Sequence, residues 1–361
     1  MLDKKRWEIG SEFDWSNDSV TTSVAKTLFT ENHELFSTGR SILLSLPPLF
    51  NCNQGRLRLH LPSFFCMDVA ADLNKVFDLC WYRDLPTEPT PDFNSLHTLP
   101  GDLVLAVNLF GIRQQKVWQD WAGQHQDIIL IEDHTHDPFS PWAQHTTADY
   151  AMASLRKTLP IPDGGIVWSP QKLKLPKPVI GEPSGAYEKL IAMLLKRAYL
   201  SGANISKDAY RCFQIKGEEA LNAETNSAAS GFTSSILNSL NIYEIRKRRE
   251  LNIKQFIQLL SLETDSRCQA LFTNWQIDAV PFNSILVCES QEIRNKLRQF
   301  LICQNIFAKV HWQQPFKGFS SNDFTAIDLS NRILTIPTDQ RYSFDDIERV
   351  ATNVTHFLKT L

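Results

Sequence analysis

Residues Ile128 to Trp168 read IILIEDHTHDPFSPWAQHTTADYAMASLRKTLPIPDGGIVW, and this stretch decides the fold. It opens on the apolar run Ile128-Ile129-Leu130-Ile131, which has the length and β-branched content of a strand buried in a parallel sheet. The run empties into Glu132 and Asp133 and then into His134-Thr135-His136. Farther on stands Ser154-Leu155-Arg156-Lys157, and Gly164-Gly165 follows the lysine and opens a second apolar run. Open α/β sheets place their ligand contacts at the carboxyl ends of strands, so Asp133 is a candidate contact. A lysine between two strand-like segments, just after a serine, points to Schiff-base chemistry beside a phosphate-binding hydroxyl. The plainer readings are that Asp133 caps a turn and that Arg156 pairs with an acid.

Upstream, Phe36-Ser37-Thr38-Gly39-Arg40-Ser41 leads into the helical pattern Ile42 to Leu46, closed by Pro47-Pro48. Small hydroxylated residues at a helix start serve as an N-cap, or present free N–H groups to an anion. Leu57–Leu61 and Val76–Trp81 read as strands around the helical stretch Val69–Lys75, and Leu103–Val107 as a buried strand running into Asn108-Leu109-Phe110-Gly111. A helix over Gln115–His125 then returns the chain to Ile128. Strand, helix and strand at this period imply βαβ crossovers and a mostly parallel sheet.

Beyond Trp168, prolines at 170, 176, 178 and 183 mark an irregular connection. Helices are expected over Tyr187–Leu200 and Lys207–Leu221, and one long helix from Ser230 to Leu260. Its basic run Arg246-Lys247-Arg248-Arg249 reads as a solvated face. Strands at Ser284–Val287, Phe307–Trp312 and Ile333–Ile336, with helices at Gln291–Cys303 and Phe344–Leu358, give a smaller C-terminal α/β domain. The organisation expected is an arm over 1–35, a large domain over 36–240, and the long helix with the small domain over 241–361.

At 361 residues and a net charge of −3, the chain offers no electrostatic footprint for nucleic acid or anionic membrane. No apolar run approaches the roughly 20 residues of a spanning helix, and the start lacks a signal-peptide core. Seven cysteines without a CxxC pair read as free thiols in a reducing cytoplasm. His134 and His136 lack a companion ligand set for zinc, so no metal is expected.

The order and spacing of these motifs resemble fold-type I pyridoxal-phosphate enzymes, and most closely the DegT/StrS sugar aminotransferases. Asp133, His136, Ser154, Lys157 and Gly164-Gly165 fall on that group's motif positions. Asp163 replaces the usual Glu, and the Ser-to-Lys interval is two residues shorter than the commonest form. The resemblance implies pyridoxal 5′-phosphate bound to Lys157 as an internal aldimine, with Asp133 on the pyridine nitrogen and His136 beside the ring. Ser154, Thr38, Gly39 and Arg40 would hold the phosphate. Phe65 (or Phe64) would stack on the ring, although the strict register falls on Cys66. Thr233 stands where the group has the Asn that reaches a neighbouring subunit's cofactor. Arg341, Tyr342 and Asn108 are the expected substrate contacts, with Asn108 alternatively a cap of its own loop. The implied protein is a homodimer with shared active sites, moving an amino group from an amino acid such as glutamate to a keto-sugar or similar ketone. The alternatives are a lyase or dehydratase on the same cofactor, or a non-catalytic protein that inherited the fold.

Overall fold

In the computed structural model the described residues are 5–16, 20, 32–50, 55–261 and 267–361. Residues 1–4, 17–19 and 21–31 of the expected arm, and Cys52, lie outside them. The first half of the chain runs β1 (Ile9–Gly10), β2 (His33–Phe36), α1 (Gly39–Leu44), β3 (Arg58–Pro62), α2 (Met67–Leu73), β4 (Asp78–Tyr82) and β5 (Leu103–Val107). It continues through α3 (Gln115–Ala122), β6 (Ile129–Asp133), α4 (Pro141–Gln144), β7 (Tyr150–Ala153) and β8 (Gly165–Trp168). Next come α5 (Ser184–Leu200), α6 (Lys207–Ala223), α7 (Gly231–Ile236) and α8 (Ile242–Ser261). The last part holds β9 (Cys268–Ala270), β10 (Ser284–Cys288), α9 (Gln291–Cys303), β11 (Ile306–Phe307), α10 (Phe324–Arg332), β12 (Ile333–Ile336) and α11 (Phe344–Lys359).

Seven strands form the central sheet in the order β2-β8-β7-β6-β5-β3-β4. The run from β4 to β7 is parallel, whereas β8 and β2 join antiparallel. Alternation along β5 shows why it lies in the middle. Leu103, Leu105 and Val107 pack with α1 and α2 residues, while Val104 and Ala106 pack with Trp118, Trp121 and Trp142. Each aliphatic side chain buried this way is worth about 1.5–3 kcal/mol. A second sheet, β12-β10-β9, is antiparallel and packs with α8, α9 and α11 around Phe256, Leu286, Leu297 and Val350.

Two expectations change. The helix foreseen from 230 to 260 breaks after α7 and a 3-10 turn at Leu237–Ser239, because Leu240 is extended and Asn241 caps the next helix through Glu244 N–H. The strand foreseen over 307–312 shortens to β11, which pairs in parallel with β1. The N-terminal segment is therefore bonded to the C-terminal one. Strand β2 also carries the central sheet back to His33, before the expected boundary at 36.

One contact sets the edge of this sheet. Gly165 lies opposite Phe36, and Gly164 N–H donates to the Ser37 carbonyl at 2.6 Å. A Cβ on Gly165 would sit 2.6 Å from the Thr38 carbonyl carbon. We expect Gly165→Ala to lower stability by about 2 kcal/mol or more through this overpacking, seen as a lower urea midpoint at unchanged slope. Gly181→Ala, whose Cβ would meet nothing within 4 Å, is the matched control and should shift stability by no more than about 0.5 kcal/mol.

Candidate active site

The strand ends β6 and β7 and the start of α1 converge beside the Gly164-Gly165 turn. Thr38 caps α1, its hydroxyl accepting from Ser41 N–H at 3.1 Å. A Cβ on Gly39 would come within 3.0 Å of Ser154 Cβ, so the serine stands directly against the first turn of that helix. Ser154 N–H donates to Thr135 Oγ1 at 2.9 Å. Asp133 Oδ1 accepts from Thr135 N–H at 2.8 Å, so Thr135 ties the two strand ends together. Burial pushes the Asp133 carboxyl above its ordinary range, against the Thr135 hydrogen bonds that lower it.

Lys157 ends a 3-10 turn that begins directly after Ser154, and its side chain borders a cavity lined by the N-terminal segment, α5, α8 and the small domain. It has no ion pair or hydrogen bond through its amine among the described residues. Its pKa falls to about 8, mainly because Arg156 is beside it, then through burial and the charges of Lys309 and Lys189; Glu218 opposes them. Arg156 and Lys189 both spend their charge on Glu218, at 2.9 and 2.7 Å. Lys189 also meets Glu12 at 2.5 Å. Glu218 is accordingly held far below the usual carboxylate range, even against its own burial. Cations crowded around an amine favour its neutral, nucleophilic form.

His136 is buried, and its Nδ1 accepts from Phe110 N–H at 2.9 Å, which leaves the proton on Nε2. Burial drives its pKa down to about 3, so the ring is neutral. It stacks near-parallel with Phe110 at 5.5 Å and with Trp312 at 5.4 Å.

Several expected contacts have other employment. Thr233 is fully buried and donates to Asp163 within its own chain, with Ser230 beside it, so it has no hydroxyl to offer a neighbouring subunit. Asn108 caps its loop, accepting from Arg113 N–H at 3.0 Å, and does not line the cavity. Tyr342 lies in the small-domain core with its hydroxyl taken by Gly10 N–H at 2.7 Å. Arg341 lines the cavity, but its guanidinium already donates to Asp339 and to the carbonyls of Ser11 and Glu12. Phe65 belongs to the core with Phe36, Leu61 and Met67, and Phe64 packs on Phe110 and Trp312. Cys66 is the residue of this trio that feels the Lys157 charge. The Arg40 side chain turns to Asp68 and Asp72, leaving only its backbone at the helix start.

Sequence reasoning missed the cations around Lys157 that come from Lys189 and Lys309, and the acids Glu12 and Glu218 that offset them. It also misread the basic run. Arg246 bonds Asp137 at 2.9 Å and Arg249 is buried on the Thr158 carbonyl and Gln340, whereas Lys247 and Arg248 face solvent. The helical spacing of 246 and 249 carried that signal.

No family model matches the chain, and no curated protein matches it in sequence. Solved structures do. Spr1654 from Streptococcus pneumoniae, which bears the name of a sugar aminotransferase, superposes with a TM-score of 0.66 over 98% of both chains at 14% identity. Helicobacter pylori PseC, an aminotransferase involved in the biosynthesis of pseudoaminic acid, gives 0.64 at 13% identity, over 98% of this chain and 100% of its own. DesV of S. venezuelae gives 0.59 at 15% identity, over 92% of this chain and 86% of its own. The fold is fold-type I. No helix among the described residues is long and apolar enough to cross a membrane.

The amine geometry has a measurable consequence. Labelling of Lys157 by a reagent that attacks neutral amines, followed by peptide mass spectrometry, should rise with pH about a midpoint near 8. Arg156→Met should move that midpoint up and Glu218→Gln should move it down, since the first removes a cation and the second an anion.

Proposed function

We propose that the protein is a pyridoxal-phosphate-dependent aminotransferase that takes an amino group from an amino acid, glutamate foremost, and passes it to a keto-sugar or similar ketone. What supports this above all is one assembly at the sheet edge. Lys157 lies three residues from Ser154, Ser154 stands against the α1 start, and Asp133 ends the adjacent strand. The residues fit the cofactor. The α1 first turn, the Thr38 and Ser154 hydroxyls and the close-packed glycines form a cradle for a phosphate. Asp133 offers a carboxylate, and the Lys157 amine has no protein partner among the described residues. When bound, the cofactor supplies the electron sink that such a transfer needs.

The protein's own side chains account for the rest. Lys157, with its pKa near 8, is available both as a nucleophile and as a base that removes and returns a substrate proton. Asp133, half-buried at a strand end, would hold a cationic ring nitrogen. That contact would bring its own pKa back down from the value burial imposes. His136 is neutral and can donate from Nε2 but carries no charge to the site. The match to aminotransferase structures favours amino transfer over elimination on the same cofactor.

A second copy of the chain is the expected partner. Tyr187, Ile191 and Leu194 are exposed along α5 at helical spacing, near exposed Val179 and Ile180. An apolar stripe of this kind marks an interface.

An absorbance scan with pyridoxal phosphate supplied is the direct test. A visible band should form, shift to shorter wavelength on addition of L-glutamate, and be absent in Lys157→Ala. A band that needs Lys157 but ignores every amino acid would overturn amino transfer, and no band at all would overturn the enzyme reading. Asp133→Asn should keep the band and slow the glutamate-driven shift by about 100-fold or more, the range seen when a site loses a key electrostatic partner. Leu194→Glu should shift sedimentation from dimer to monomer at micromolar concentration.

A further inference from the structure

The cavity that Lys157 enters carries more positive charge than its walls neutralise. Six cations border it: Arg156, Lys157, Lys189, Arg249, Lys309 and Arg341. Most are spoken for. Arg156 is held by Glu218, Lys189 by Glu12 and Glu218, and Arg341 by Asp339. Arg249 donates to the Thr158 carbonyl and to Gln340. Lys157 and Lys309 alone have no hydrogen-bond or ion-pair partner for their amines among the described residues.

Lys309 has an exposed side chain on a fixed backbone. Its backbone is pinned to Thr335 in both directions, at 3.1 and 2.8 Å, so its side chain leaves the small domain from a fixed point. Two residues on, His311 shares the wall, with Nδ1 on Thr335 Oγ1 at 2.8 Å. His311 is neutral, because burial drives its pKa far down and the charges of Lys309 and Lys157 assist. The field of Lys309 reaches Lys157 across the cavity. An unpaired cation on a cavity wall offers an incoming oxyanion a charge-assisted hydrogen bond.

We propose that Lys309 anchors an oxyanion of the substrate, a carboxylate or a phosphate borne away from the carbon that reacts at Lys157. This deepens the proposed function and rests on it only for the word substrate, since the anion site itself stands on the cavity's unpaired charge. The division of labour is physical. Lys157 must lose its proton to react, so the partner of a permanent anion has to be the other lysine. An oxyanion can arrive from two sources, the second carboxylate of a dicarboxylic amino donor or the phosphate of an activated acceptor.

The test is calorimetric titration of the full chain, after pyridoxal phosphate has been supplied and the excess removed, with glutarate in one arm and inorganic pyrophosphate in the other. Neither probe carries an amine or a ketone, so binding is read without turnover. We expect at least one to bind, to weaken as salt rises, and to lose about tenfold or more in affinity in Lys309→Gln. Lys309→Arg should recover most of that loss, and all variants should keep the parent melting temperature within a few degrees. Preference for glutarate would assign the site to the donor, and preference for pyrophosphate to the acceptor. Equal affinity in the parent and Lys309→Gln, or no binding of either probe to the parent, would overturn the proposal. The visible cofactor band is recorded in the same samples. A band with Lys309-independent binding sinks this inference alone, whereas Lys309-dependent binding without any band sinks the enzyme reading and leaves the anion site.

Discussion

The approach of Gly165 to the Thr38 backbone governs the site. It fixes where α1 begins relative to the sheet, and the rest follows from chain connectivity. Gly164 N–H bonds Ser37, Arg156 N–H reaches back to the Gly164 carbonyl, and Ser154 ends against Gly39. One backbone contact thus sets the α1 start, the serine and the lysine turn together. Asp163, immediately before the glycines, secures the turn from outside by accepting from Ser230 N–H, Ser230 Oγ and Thr233 Oγ1. The acid that looked like a motif residue is therefore a fastener, and Thr233 is the other half of the clasp.

The charges around Lys157 run against stability and in favour of chemistry. Gathering Arg156, Lys189 and Lys309 near a lysine amine raises the energy of its protonated form. Between about pH 8, where the folded amine titrates, and the ~10.4 of an unfolded lysine, the unfolded chain binds more protons. Stability from this group therefore climbs as pH rises through that window, and below it the full penalty remains. Glu218 limits the penalty by neutralising Arg156 and Lys189 at once. A protein selected for stability alone would have no use for this arrangement. A protein that needs a neutral amine near neutral pH does.

The sequence disclosed those parts of the candidate site whose placement is local. Asp133 and Ser154 end strands that their own apolar runs announce, and the glycine pair marks the turn by its backbone needs. What stayed hidden depends on partners far along the chain. Glu12, Lys189, Glu218 and Lys309 come from four separate segments, and nothing in their neighbours foretells that they meet. The hydrogen-bond partners of the expected substrate contacts stayed hidden for the same reason. Asn108 and Tyr342 are polar residues near a motif, and only the fold shows that Arg113 and Gly10 already occupy them. Arg246 and Arg249 differ, because a helical period of 3.6 places them on one face whatever the fold.

Arg341 and Tyr342 explain why the N-terminal segment belongs to the cavity wall. Tyr342 accepts from Gly10, and Arg341 donates to the Ser11 and Glu12 carbonyls. Lys196 from α5 reaches the Gly10 and Glu12 carbonyls as well. These bonds, with the β1–β11 pairing, lay residues 10–13 along the cavity wall and aim Glu12 at Lys189. Without Glu12, Lys189 would rest on Glu218 alone, Glu218 would do less to offset Arg156, and the Lys157 amine would titrate lower still. The electrostatics of the lysine thus depend on a segment more than 140 residues upstream, held in place by the small domain's last loop.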